Sequence, residues 1–252
     1  MHNPTHIRPA DYGEFCRWQE AAGGLIRIVT LSPEGDESLE FIRNIVRDGV
    51  VAAIGHTDAD PDMIDMAIEA GATLSTHLGN GSPPMIPRLE NFLWAQLASD
   101  RLSACIIADG FHLPPYVLQS IMRCKGRDQT VLVSDVAPLA GNPPGIYRWT
   151  GMDVEIYSDG HMGLHNTNSL AGASKLQDEA VTLLHRRLSV PLDRCFDYAA
   201  LNPAQVLGYF PSREIPKPDD PVNLMLFEFD VSGMLATRTA AIGRHYYNTI
   251  KE

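Results

Sequence analysis

Residues Val50–Asn80 read VVAAIGHTDADPDMIDMAIEAGATLSTHLGN, and this stretch decides the fold. Val50 to Ile54 is short, apolar and β-branched at Val50, Val51 and Ile54, which suits a strand buried on both faces. The run ends at His56. Asp60 is placed to cap a helix and Pro61 fits its first turn. Met63, Ile64, Ala67, Ile68 and Ala70 recur at helical spacing, and Gly71 supplies a left-handed stop. A second short run ends at His77. Two strands joined by one helix lie parallel, which brings both imidazoles to one sheet edge. Imidazole ligates zinc and other first-row metals. One histidine here would read as a buried structural residue; two at matching strand ends favour metal ligation.

The same alternation extends outward. Met1–Asp11 reads as loop, Tyr12–Ala22 as a helix ended by Gly23 and Gly24, and Leu25–Leu31 as a strand. Asp36 is expected to cap a helix with the face Leu39, Ile42, Ile45 and Val46, closed by Gly49. After the Gly- and Pro-rich loop Gly79–Pro87, a helix runs through Leu89, Leu93 and Leu97. Leu102–Ala108 is a buried strand, Pro114–Lys125 a helix and Thr130–Ser134 a strand. Five strand–helix units with polar residues just past the strands argue a parallel α/β sheet whose site lies at the carboxyl ends.

Beyond Asp135 the pattern changes. Ile146–Leu164 alternates like hairpins, with turns at Thr150-Gly151 and Asp159-Gly160. Leu170–Arg187 reads as one long helix, followed by helices Leu192–Ala200 and Pro203–Leu207, the last capped by Asn202. A charged, proline-rich linker, Arg213–Pro221, leads to two strands, Val222–Phe229 and Met234–Tyr246.

The 252 residues carry a net charge of −11 with scattered Lys and Arg, so nothing suggests a nucleic-acid footprint. The four cysteines form no CxxC pair, so neither a zinc knuckle nor a redox motif is indicated, and Cys105 reads as core. No signal peptide and no membrane-spanning run is seen. The chain reads as soluble and cytoplasmic.

His56, His77, His112 and Asp135 fall at the ends of four consecutive strands. Two histidines fall short of the three protein ligands usual at catalytic zinc. Asp135 either binds the metal or acts on its water; read alone it is a cap or a turn residue. His112 read alone is an exposed loop histidine. Asn80, Gly81, Ser82 and Arg88 suit an anion such as phosphate, although Arg88 fits equally well as a surface residue. There is no GxSxG and no P-loop. His161, His165 and Asn166 read as solvent-facing hairpin residues.

The motifs GHTDA at Gly55–Ala59, THLGNGSPP at Thr76–Pro84, ADGFH at Ala108–His112, LVSD at Leu132–Asp135, SLAGAS at Ser169–Ser174 and LNPA at Leu201–Ala204 resemble, in order, those of the N-acetylglucosamine-6-phosphate deacetylase family of the amidohydrolase superfamily. The resemblance runs from His2 to about Phe229 and implies a (β/α)8 barrel with a small β-sandwich. It implies that His56 and His77 are metal ligands. It also implies that Asp135 takes a proton from water and protonates the leaving amine. His2, in HNP, resembles the histidine that contacts the substrate carbonyl. Asn80, Arg88 and His112 match positions that bind the sugar phosphate, the Arg being contributed by the neighbouring subunit of a dimer. Gly81 is a looser match, since the family has Ala there.

Two departures stand out. The family's metal-binding Glu, in a Leu-Glu-Gly-Pro motif upstream of HNP, has no counterpart, and HLGNGS replaces HLFNAM. The expected fold is therefore α/β, a partial TIM-like (β/α)8 barrel over residues 1–210 holding the later strands, with 211–252 as the C-terminal β segment of the small sandwich. The expected function is metal-dependent hydrolysis of the N-acetyl amide of N-acetylglucosamine 6-phosphate, by a homodimer using zinc, iron or another divalent ion. The alternatives are an inactive amidohydrolase fragment or scaffold, and an amidohydrolase acting on another amide. An open barrel with two exposed sheet edges and one missing acidic ligand is expected to show little activity by itself.

Overall fold

The computed structural model describes residues 7–210, 217, 222–243 and 245–248. A five-stranded parallel sheet forms its centre. The strands β1 (Ile28–Leu31), β2 (Val51–Ile54), β3 (Leu74–Ser75), β4 (Ser103–Ile107) and β5 (Thr130–Val133) lie side by side in sequence order. The register runs Ile28 to Val51, Ala53 to Leu74, Leu74 to Ser103 and Ala104 to Thr130. This is the arc of a singly wound barrel. Every carboxyl end, and so every loop that carries candidate chemistry, is on the same edge.

Between the strands come α2 (Asp36–Arg47), α3 (Pro61–Ala70), α4 (Phe92–Ala98) and α5 (Pro115–Lys125), with α1 (Tyr12–Ala21) ahead of the first. Alternation along each strand separates two faces. Ala52 and Ile54 of β2 pack under the helices with Ile42, Ile45, Ile64 and Leu102, and Ile106 and Leu132 do so with Leu118 and Leu184. The intervening Ala53, Leu74, Cys105 and Val131 form the other face, with Val206 against them. This second face thins toward β1, where Ile28 is 39% exposed.

A hairpin sheet follows β5, made of β6 (Gly145–Trp149), β7 (Met152–Ile156) and β8 (Met162–Leu164), with turns where the sequence places them. Then come α6 (Gln177–Leu188), α7 (Leu192–Phe196), a π-helical turn (Asp197–Leu201) and α8 (Asn202–Val206). A small antiparallel sheet follows: β9 (Val222–Phe229), β10 (Leu235–Gly243) and β11 (His245–Asn248). It rests on α6, since the Leu235 N–H donates to Thr182 Oγ1 at 3.0 Å and Phe229 stacks on His185. The linker expected over Arg213–Pro221 lies almost wholly outside the described residues.

Several expectations are corrected. Leu170–Leu176 is not helical. Gly172, at φ 82°, breaks any helix there, and the segment lies extended against the chain after β5 and against β8. The helix expected through Leu89 begins only at Phe92, where the Asn91 side chain accepts from Leu93 and Trp94 N–H. Asp36 is the first helical residue rather than the cap, which is Gly35 at φ 95°. Asn202 is no cap either. It is 1% exposed, and its amide donates to the carbonyls of Arg127 and Thr130, tying α8 to the start of β5. The last expected strand is two, β10 and β11, paired antiparallel.

Lys125 is 4% exposed and donates to the carbonyls of Gln96 and Ser99, both at 2.6 Å, at the end of α4. Burial pushes its amine down to about 8 from 10.5. Between those values the unfolded chain holds this proton and the folded chain has lost it, so raising the pH through the window favours the folded state. Denaturant titrations from pH 7.5 to 10.5 should show this contribution growing with pH in the wild type and absent in Lys125→Met. A variant that keeps the same pH dependence would assign the effect elsewhere.

Candidate functional site

The carboxyl edge of the sheet gathers the candidate residues. His56 follows β2 and His77 follows β3, and their Nε2 atoms face one another at 2.9 Å. The rings stand perpendicular, 4.6 Å between centroids at 89°. His77 is buried at 8% exposure, while His56 is open to solvent. Two imidazole nitrogens on one tetrahedral ion, each bound at about 2.0–2.1 Å, would lie roughly 3.3 Å apart. The pair therefore fits two ligands of one small divalent cation with a slight opening of the rings. Among the described residues no group of three or more His, Cys, Asp or Glu is arranged to hold a metal ion.

The backbone at these residues is unusual. His56 (φ 55°), His77 (φ 30°) and Asp135 (φ 50°) all adopt left-handed conformations, which L-residues other than glycine rarely enter. Of the other described non-glycine residues that do so, Thr150 and Asn166 sit in turns and Ser189 caps α6. Strain of this kind collects where geometry is held for function. The packing helps to hold it. A Cβ on Gly55 would lie 2.8 Å from both Thr30 Cγ2 and Thr76 Cβ, and those threonines hydrogen-bond across it at 2.9 Å. A Cβ on Gly81, itself at φ 67°, would lie 2.8 Å from His56 Nδ1. Gly81 thus lets its loop close over the His56 ring.

Asp135 is exposed just past β5. Its carbonyl accepts from Ala173 N–H at 3.2 Å, and Ala137 N–H donates to Ala173 O at 2.8 Å, so the SLAGAS segment pins the backbone beside it. Burial, helped by the Asp135 charge and opposed by a hydrogen bond at the His77 backbone, pushes the Cys105 thiol up to about 12. Cys105 is core, as expected, and inert as a nucleophile.

His112 is fixed by a residue the sequence reading did not single out. Asp109, three positions earlier in the same DGFH run, takes His112 Nδ1 at 2.7 Å on one oxygen. On the other it takes the Phe111 and His112 N–H groups, each at 2.9 Å. Burial alone would raise the Asp109 carboxyl, but the bonds from His112 outweigh it and hold it below the ordinary value. His112 is therefore not an idle exposed histidine.

Asn80 lies one turn past His77, its N–H donating to His77 O at 2.9 Å. Its Nδ2 and the Ser82 Oγ are buried and have no hydrogen-bond partner among the described residues. Arg88 is on an exposed loop with Met85 (88% exposed) and Leu89 (72%), and forms no ion pair among the described residues. His2 lies outside the described residues. His161, read as solvent-facing, is half-buried: its ring stacks on Tyr157 at 4.1 Å and tilts against Phe111 at 5.3 Å. A cleft of about 430 Å³ opens beside His56, walled by Thr30, Ser32 and Gly55 and, opposite, by Arg8, Asp11 and Trp18.

The class this defines is an α/β protein of (β/α)-barrel type, with its polar chemistry at the carboxyl ends of the strands. No family model matches the chain. An N-acetylglucosamine-6-phosphate deacetylase of Bacillus subtilis (strain 168) is 33% identical over 204 residues, 81% of this chain and 51% of that protein. An N-acetylgalactosamine-6-phosphate deacetylase of Escherichia coli O157:H7 is 30% identical over 209 residues, 82% of this chain and 54% of that protein. Among solved structures, a variant N-acetyl-D-glucosamine-6-phosphate deacetylase from Mycobacterium smegmatis, in complex with N-acetyl-D-glucosamine-6-phosphate, superposes with a TM-score of 0.84. It is 28% identical and covers 97% of this chain and 64% of that one. By sequence and fold, the chain belongs to the N-acetylglucosamine-6-phosphate deacetylase family. It spans about half the length of the curated relatives it matches.

Proposed function

We propose that this site hydrolyses the N-acetyl amide of an amino-sugar 6-phosphate, N-acetylglucosamine 6-phosphate first, releasing acetate and the free amine. The observation that carries the reading is the convergence of His56 and His77 at 2.9 Å, in strained backbone, on the edge that also bears Asp135 and His112. The two histidines would hold a divalent ion, zinc or iron among the candidates, with a third ligand supplied from outside the described residues. Such an ion supplies Lewis-acid polarisation of the amide and lowers the pKa of water. Asp135 accepts the water proton and delivers it to the amine nitrogen as the C–N bond breaks. Asn80 and His112 offer polar atoms to the sugar phosphate, and Gly81 leaves room beside His56. His2 is assigned to the substrate carbonyl from the HNP resemblance.

Relatives named for the galactosamine and for the glucosamine compound are similarly close to this chain, so the two sugars are the first pair to compare. Met85, Leu89 and Trp94 (54% exposed), close to Arg88 in the chain, are exposed apolar residues, which supports a homodimer that carries Arg88 to the partner's substrate. Among the described residues no helix is long and apolar enough to cross a membrane, and all four cysteines are free, which fits a reducing, cytoplasmic setting.

Acetate release followed by NMR, with Zn²⁺, Co²⁺ or Fe²⁺ added to the 252-residue protein, tests the reading. The expected result is metal-dependent turnover, abolished by a chelator and slow compared with the Bacillus subtilis relative. A protein that binds metal through His77 yet releases no acetate with any ion would be a non-catalytic relative. The incomplete ligand set among the described residues is the observation on that side.

Arg88→Ala should weaken binding of the 6-phosphorylated sugar by about 1.5–3 kcal/mol, the worth of a charge-assisted hydrogen bond, and spare the unphosphorylated sugar. Calorimetry with both ligands checks it. Equal losses would place Arg88 away from the phosphate.

A further inference from the structure

The loop that leaves His56 is held from the neighbouring strand. Glu34 lies at the carboxyl end of β1, and its carbonyl accepts from the Ser38 hydroxyl at 3.1 Å, which fixes it to the start of α2. Its Oε1 accepts from Thr57 Oγ1 at 2.7 Å and from Asp58 N–H at 2.8 Å; its Oε2 takes the Ser32 hydroxyl. Thr57 is 5% exposed, and its oxygen also accepts from Ala59 N–H at 2.9 Å. One carboxylate therefore fixes both residues immediately after His56. His56 is the position that needs such help, because it is an exposed residue held at φ 55°. Its direction depends on the backbone on either side, with the Gly81 loop closed over the ring. Before it, Gly55 is clasped between Thr30 and Thr76. After it, the loop is held by the Glu34 carboxylate.

We propose that Glu34 is a positioning residue for His56: by accepting the Thr57 hydroxyl and the Asp58 amide it locks the left-handed turn and aims His56 Nε2 at His77. The inference deepens the reading of the two histidines as a ligand pair and rests on it. Groups behind a ligand that orient it carry a large share of a site's affinity for its ion, because a ring free to swing must be ordered on binding.

The test reads geometry and binding separately. In the metal-free 252-residue protein, the His56 and His77 ring protons should show cross-relaxation by NMR, reflecting the 4.6 Å centroid separation. Glu34→Ala should lose this signal and weaken Co²⁺ binding by about 10- to 100-fold. Glu34→Gln, which keeps an acceptor oxygen for Thr57 and Asp58, should retain both. Should Glu34→Ala fail to fold, Thr57→Val removes the buried donor while keeping the side-chain shape, and should reproduce the loss. Asn202→Ala serves as the control, since it deletes two buried hydrogen bonds at the opposite, amino-terminal end of β5. It should lower the melting temperature and leave both readouts as they are. Cross-relaxation that persists in Glu34→Ala, an equal loss in Asn202→Ala, or a Glu34→Gln protein as impaired as Glu34→Ala would overturn the proposal. A wild-type protein that shows the ring contact but binds no Co²⁺ would count against the ligand-pair reading alone, and the NMR series would still decide the role of Glu34.

Discussion

Alanine at His77 or at His56 is expected to weaken divalent-metal binding by at least about 100-fold, since removing even an outer-shell partner of a ligand costs 10- to 100-fold. The two rings supply the only pair of imidazole nitrogens that face each other at 2.9 Å among the described residues. Neither can stand in for the other, because they approach from adjacent strands and meet at right angles. His56→Ala removes an exposed ring and should leave stability close to wild type. His77→Ala removes a buried one and should cost more. Suitable controls are His161→Ala and His185→Ala. The first loses a stacked ring on Tyr157, and the second a ring that stacks on Phe229 and bonds the Val190 carbonyl through Nδ1. These should change stability and leave metal content alone. Elemental analysis of the four purified variants decides the matter. Equal metal in all four would show that the histidine pair is structural.

What was legible in the sequence was local. The strand at Val50–Ile54, the Asp60 cap whose side chain accepts from Met63 N–H, the proline in the first turn and the left-handed Gly71 all form as their residue types dictate. From those elements the two histidines had to emerge on one edge, while the perpendicular arrangement of their rings is set by contacts the local sequence does not show. β3 is only two residues long, and no propensity argument would have found it. It was read because a helix and a histidine bracket it. The failures were of another kind. The sequence reads as one long helix from Leu170, yet Leu170 pairs with β8 and Ala173 pairs with the chain beside Asp135. Asn202 looked like a cap because Pro203 follows it, while its side chain actually serves carbonyls more than 70 positions earlier. Glu34 gave no signal because the hydroxyl and amide it accepts lie 23 and 24 positions on, across a helix from it. Asp109 has a local signal: an aspartate three residues before a histidine in a glycine turn, as in DGFH, is placed to take the ring nitrogen.

Asp135→Asn is expected to reduce acetate release by about 10²- to 10⁴-fold, the usual contribution of a positioned proton-transfer group. The substitution isolates the chemistry. Asparagine has the shape of aspartate and tolerates the left-handed backbone better than most residues, so the φ of 50° at this position should persist. The backbone bonds to Ala173 that pin residues 135–137 involve no side chain and should also persist. What is lost is the ability to accept a proton. Attack of water on the amide carbon forms one C–O bond and must shed a proton. The amine leaves as the C–N bond breaks and must gain one. In the proposed reaction a single carboxylate between them would carry the proton from the first to the second, which an amide side chain cannot do. The variant should therefore keep the wild-type melting temperature and metal content while kcat falls and substrate binding stays close to wild type. Those three measurements separate a proton carrier from a structural residue. An Asp135→Asn protein that folds, binds metal and turns over as the wild type does would assign Asp135 to the turn it occupies and leave the site without its base.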